Sequence, residues 1–301
     1  MTDTSDSRQP ADSSGRLAAA SPGVQVKERA KQKWNTKNLG FRLGADAVSA
    51  AGSASLVAPI IAIIDRSIME NASGRQSVAE SIKSSFRDFF RRPRAFLFSK
   101  PTALIFMLYG GTYLTANTID TMSSTTSNRP ATTVTAGTAK FVASSTTNIG
   151  LCIYKDQVFV RMFGPPGVVP RPVPMASYIL FALRDCITVF SGFNVSPVLG
   201  PWLNDRMRDD FKKRIDGVTV AQFVAPAAIQ TLSTPLHLLG LDLYNRPSGE
   251  QGKVSVRDRW VAIKKNWGVS VAARIGRIVP AYGVGGVVNM KIRRSLMEKL
   301  V

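Results

Sequence analysis

The chain has 301 residues, a formal net charge of +19 and a mean hydropathy slightly above zero, with 45% of its residues apolar. So basic and so greasy a chain fits a protein facing anionic lipid better than one whose basic residues sit on a polar, nucleic-acid-binding surface. Two cysteines and one histidine, Cys152, Cys186 and His237, leave almost no material for a disulfide framework, a zinc site or a His-assisted nucleophile, so no enzyme, metal or cofactor is expected.

Residues 1–38 are polar, rich in Ser and marked by Asp3, Asp6 and Asp12, which reads as a disordered tail with neither a secretory h-region nor a transit-peptide composition. Residues 39–301 then form one domain built on apolar runs. The first is Ala47 to Ile64. Val78 to Phe90 follows as an amphipathic helix, with Val78, Ile82, Phe86 and Phe89 or Phe90 at three- and four-residue intervals. The basic stretch Arg91 to Lys100 leads into the second run, Pro101 to Ile119, with proline in the first-turn position it tolerates. Phe141 to Tyr154, with a neutral lead-in from Pro130, is the third run. Pro172 to Leu183, continuing as Cys186 to Leu203, is the fourth, and Gly217 to Leu241 is the fifth. Val254 to Trp267 is a second basic amphipathic helix with Trp260 and Trp267 on one face. The sixth run is Ile275 to Met290.

A 30 Å hydrocarbon core needs roughly 17–25 helical residues, and most runs reach that with short polar flanks. Their richness in Gly, Ala, Ser and Thr suits helices packed closely in a bundle. A soluble helical domain has room for one or two such central helices, not a succession of six. The reading is therefore an all-α membrane protein of six transmembrane helices with interfacial amphipathic helices, in which Phe86, Phe89, Trp260 and Trp267 meet anionic lipid, with cardiolipin as the candidate. Lysines and arginines divide almost evenly between the two sides and set no orientation.

The runs pair into three pseudo-repeats, about 39–125, 130–200 and 217–299, with Pro59, Asn148 and Pro235 as kink positions spaced by 89 and 87 residues. With "TPLHLLGLDL", "KKNWG" and "RIGRIVPAYGVGGVVNMKIRR", this resembles a divergent member of the mitochondrial carrier family. The string "RPRAFLFSKPTALIFMLYGGTYLTAN" also resembles an uncharacterised fungal mitochondrial multi-pass membrane family. The resemblance implies a multi-pass protein of a mitochondrial membrane, the inner one before the outer, that moves a small anionic or zwitterionic solute. One departure weighs against transport. The carrier gate would place acid–base pairs at Ile61 and Ile64, Gly150 and Ile153, and His237 and Gly240, and none is present.

Charges inside the runs are Asp46, Lys140, Arg184, Asp185, Arg274 and Arg277, and intramembrane charge is costly enough to imply a cavity or a partner. The carrier resemblance puts Arg184, Asp185 and Arg277 at substrate contact points. The alternative is structural pairing, with Arg184 and Asp185 about 100° apart on their helix and so unable to share an axis. Asp46 and Lys140 read as snorkelling near helix starts, and His237 as a packed histidine. Two function classes stay open beside transport: a non-transporting membrane scaffold, and a soluble basic nucleic-acid-binding protein.

Overall fold

A computed structural model describes residues 34–135, 137–191, 195–212, 217–247 and 254–300, so nearly all of the predicted tail lies outside the described residues. Among the described residues all regular structure is helical. The elements are α1 (Leu39–Ala72), α2 (Val78–Arg91), α3 (Pro93–Leu97), α4 (Lys100–Thr126), α5 (Thr138–Met162), α6 (Met175–Phe190), α7 (Ser196–Arg206), α8 (Asp209–Lys212), α9 (Gly217–Asn245), α10 (Val256–Ile278) and α11 (Val287–Glu298). A π-helical stretch, Val279–Gly286, joins α10 to α11 without a break.

Local sequence explains the boundaries. Ser77 caps α2: its hydroxyl accepts from the Glu80 amide at 3.3 Å, while the Glu80 carboxylate accepts from the Ser77 amide at 3.1 Å. Pro101 sits in the first turn of α4. Pro59 lies inside α1 and Pro235 inside α9, each removing one backbone donor from a helix that nonetheless continues. The segment 163–174, with five prolines, has no helix, so the second pair of runs lacks an amphipathic connector such as α2.

Long helices pack in chain order. α1 lies on α4, α4 on α5, α5 on α6, α6 on α9, α9 on α10, and α10 with its continuation returns to α1, closing a ring. The apolar part of the interior includes Ile61, Ile105, Phe159, Phe181 and Leu241. Close approach at the α6/α9 contact requires Gly240, whose added Cβ would stand 2.6 Å from Phe181 Cε1.

The polarity of α1 is inverted relative to a soluble protein. Arg42, Asp46, Ser49, Ser53 and Asp65 are buried, whereas Val48, Leu56 and Ile60 are exposed. The same holds on α6, where Arg184 is buried and Ile179 and Leu183 face outward. Such an arrangement is stable in lipid, which solvates the apolar outside and leaves the polar groups to one another. Among the described residues two helices, Leu39–Ala72 and the continuous Val256–Glu298, are long and apolar enough to cross a bilayer. At 1.5 Å per residue the 34 residues of α1 reach about 51 Å, well beyond a 30 Å core. Both features fit a protein embedded in a bilayer.

Three expected elements differ. Val254 to Trp267 is not a separate interfacial helix: from Val256 it is the first half of α10, because Gly268 alone, with no proline beside it, does not interrupt the helix. The fourth run is divided between α6 and α7. The sixth crosses the π stretch, where Pro280 removes a donor and Gly285 lets the chain lie against Tyr113 of α4, whose hydroxyl donates to Ala281 O at 2.6 Å.

Candidate functional site

Among the described residues five helices bring charged or polar groups to the centre of the ring. Lys155 and Asp156 come from α5, Asp65 from α1, Arg184 and Asp185 from α6, His237 from α9, and Arg274 and Arg277 from α10. Lys155 Nζ lies 2.7 Å from both Asp65 Oδ2 and Asp156 Oδ1. Arg277 Nη1 donates to both oxygens of Asp65, at 2.9 and 3.1 Å. Arg184 is held by three groups: Asp156 Oδ2 at 2.7 Å, Asp185 through Nε at 2.9 Å and Nη2 at 2.6 Å, and His237 Nδ1 at 2.7 Å. Arginine only donates, so Nδ1 of His237 is the acceptor and the ring proton sits on Nε2. Both Asp156 oxygens lie off the hydrogen-bond direction of their neighbours, leaving charge attraction as the bond there.

Beside this cluster is a cavity of about 120 Å³, lined from α4, α5, α6, α9, α10 and the π stretch. A buried water needs roughly 10–15 Å³ on this scale, so the space holds several waters or one small solute. Its polar wall includes Thr112, Asn148, Asp185, Gln230, Arg274 and Arg277, and the Ser144 and Ser145 hydroxyls in it have no hydrogen-bond partner among the described residues. Cys152, Asp156 and Asp185 are close enough together to suggest a metal site, but the Arg184 guanidinium fills the space, with Nη2 at 3.5 Å from Cys152 Sγ as well as on both carboxylates.

The chain matches the family of probable citrulline exporters over residues 49–297, which is most of its length and includes every charged residue of the central cluster. It belongs to that family. No curated protein matches the chain.

This membership replaces the mitochondrial carrier assignment. The features that suggested a carrier were paired helices, prolines in odd-numbered runs and an arginine before a proline, and a ring of helices closing in chain order produces the first whatever its ancestry. The carrier motifs do not hold: "KKNWG" lies inside α10, Ile61 is buried in the apolar core, and Gly240 serves close packing against Phe181. In this exporter-family chain the interior charges are arranged differently from a carrier gate.

The structure brings Arg184, Asp185 and Arg277 to one cluster, with Asp185 and Arg277 on the cavity wall. Being adjacent does not prevent Arg184 and Asp185 from meeting, because the long arginine side chain folds back onto its neighbour's carboxylate. Asn148 also lines the cavity and donates to Thr112 Oγ1 at 3.2 Å. Pro59 and Pro235 lie within α1 and α9 and outside the cavity lining. Phe86 and Trp260 are exposed, and Phe89 is half-buried against Phe90 and Phe96. Trp267 is tied down by a 3.0 Å hydrogen bond from Nε1 to Thr231 O.

Asp65, Lys155 and Asp156 escaped the sequence reading because they stand just past the ends of apolar runs, where they look like loop charges. Helical spacing carries the missing signal: Asp65 follows Ile61 by four residues and Asp156 follows Cys152 by four, so each shares the buried face of its helix. Asp46 does not snorkel. It is fully buried, with Oδ1 2.7 Å from Arg293 Nε and Oδ2 accepting from Thr121 at 2.6 Å. Lys140 pairs with the buried Asp120 at 2.8 Å.

Proposed function

We propose that this chain exports a small zwitterionic amino acid, with citrulline as its cargo, through the central cavity. The observation that carries the reading is that cavity, enclosed by the helical ring and walled by buried charge, in a chain of the probable citrulline exporter family. A zwitterion brings its own cation and anion, and a site with fixed acids and bases receives both without reorganisation. Asp185 and Arg277 form the charged wall, and Arg184 fixes Asp185 in place. The six-crossing topology and the three units at about 39–125, 130–200 and 217–299 belong to the same proposal, supported by the closure of the ring in chain order. Pro59, Asn148 and Pro235 are its hinge positions. A lipid partner is supported by the exposed Phe86, Phe90 and Trp260, with Lys264 Nζ 5.7 Å from the Trp260 ring centre. The mitochondrial location rested on the carrier resemblance and on that to a fungal mitochondrial family, and the exporter-family match lends it no support.

A membrane scaffold is the second reading, and one observation favours it: Arg184, Asp185 and Arg277 are all engaged in ion pairs within the protein. The deciding experiment is efflux from proteoliposomes loaded with labelled citrulline, run beside dicarboxylates and nucleotides. Export predicts saturable citrulline flux; absence of flux for every compound in a reconstituted, folded sample favours the scaffold.

A further inference from the structure

The central cluster does not balance. Among the described residues it holds four permanent cations, Lys155, Arg184, Arg274 and Arg277, against three carboxylates, Asp65, Asp156 and Asp185. His237 adds no charge while its Nδ1 accepts from Arg184. The surplus resides on Arg274, which is 3% exposed and has no carboxylate within ion-pair distance among the described residues. Its one polar partner there is Gln230, whose Oε1 accepts from Nε at 2.8 Å. Gln230 is itself oriented by donating from Nε2 to Pro226 O at 2.8 Å. That leaves the outer fork of a guanidinium on the wall of a cavity that also presents the Ser144 and Ser145 hydroxyls, which have no hydrogen-bond partner among the described residues. A buried arginine with spare donors is expensive to leave so unless an anion arrives.

We propose that Arg274, held by Gln230, is the dock for the cargo's α-carboxylate, and that its unbalanced charge makes the site reject amino acids with a cationic side chain. This rests on the exporter reading. The carboxylate accepts from the two outer nitrogens of Arg274, and the α-ammonium donates to Asp185, whose oxygens retain lone pairs beside those used by Arg184. A neutral side chain then leaves the electrostatics of the site unchanged. A terminal ammonium adds a second surplus positive charge in a poorly screened interior.

Three probes separate these claims: citrulline, ornithine, which replaces the neutral ureido group by an ammonium, and N-carbamoylputrescine, which is citrulline without its carboxylate. Thermal stabilisation of the detergent-solubilised protein reads binding, and proteoliposome efflux reads transport. The native chain should prefer citrulline to either analogue by about tenfold or more. Arg274→Gln should lose citrulline binding by a similar factor while narrowing the gap to ornithine, and Arg274→Lys, which keeps the charge, should keep the rejection of ornithine. A purely structural arginine would lower all ligands alike in both variants. The dock is overturned if the native chain shows no citrulline binding, if Arg274→Gln binds citrulline within about twofold of native, or if its discrimination against ornithine is unchanged. Arg274-dependent binding without flux would sustain the dock and remove the exporter reading, whereas flux indifferent to Arg274 would do the reverse.

Discussion

Lys155 Nζ and Asp65 Oδ2 meet at 2.7 Å, joining α5 to α1 through side chains that are almost wholly buried. Asp65 also holds Arg277, so one carboxylate compensates two cations from two different helices. This asymmetry makes the two partners unequal on removal. Asp65→Asn raises the positive surplus of the cluster, whereas Lys155→Met cancels it. Breaking a buried pair costs about 3–5 kcal/mol when the partner is left unpaired. Asp65→Asn should therefore lower Tm in detergent further than Lys155→Met; the reverse order would refute the charge count.

Gly240 is a test of packing alone. A Cβ there would stand 2.6 Å from Phe181 Cε1 and 3.1 Å from Cδ1, and Ser177 Oγ already fixes the backbone by donating to Gly240 O at 2.7 Å. Gly240→Ala should destabilise by about 1–3 kcal/mol. Combining it with Phe181→Leu should recover part of the loss in a thermal melt, since the smaller side chain can withdraw. No recovery would mean that the clash lies elsewhere.

The helical class and most element positions were legible because apolar runs longer than a turn or two have few alternatives. What hid the site was the habit of ending a span where hydropathy ends. Asp65, Lys155 and Asp156 lie beyond those edges, yet helix phase carries them inward. The α10 continuity was missed for the opposite reason: Trp260 and Trp267 looked interfacial, and composition alone cannot distinguish an amphipathic helix from the polar first half of a long one. Long-range pairing such as Asp46 with Arg293 has no local signature at all.

The two tryptophans should separate. Trp260 is 51% exposed beside Lys264, while Trp267 donates its indole proton to Thr231 of α9. Trp260→Ser should reduce co-flotation with vesicles containing anionic lipid and leave Tm unchanged. Trp267→Ser should destabilise the fold, by about 1 kcal/mol for the hydrogen bond and more for lost packing, and so lower Tm. Equal effects of both changes on lipid retention and Tm would contradict the division.

The α2 cap gives a pH test outside the membrane-spanning helices. The Ser77 hydroxyl and amide hold the exposed Glu80 carboxyl below its ordinary 4.5. A depressed carboxylate contributes stability that is full above the ordinary value and disappears as pH falls through the folded one. After correction for the intrinsic exchange rate, the amides of the first turn of α2 should lose protection on acidification, and Ser77→Ala should remove that step along with the cap. A pH response unaltered by Ser77→Ala would assign it to another group.

The last prediction concerns Arg184 and Asp185 as a pair. If they compensated only each other, Arg184→Leu with Asp185→Leu would remove two charges cleanly and be tolerated. Arg184 also stands 2.7 Å from Asp156 Oδ2 and 2.7 Å from His237 Nδ1, so the double change strips Asp156 of one of its two cations and leaves the histidine acceptor without its donor. The double variant should then be depleted from membranes nearly as much as Arg184→Leu alone. Asp156 keeps Lys155 in the double variant, so adding Asp156→Asn should not restore accumulation: it leaves Lys155, Arg274 and Arg277 against Asp65 alone and should deepen the depletion. Immunoblots of carbonate-washed membranes give the readout, and a double variant as abundant as native protein would mean that Asp156 is not held by Arg184.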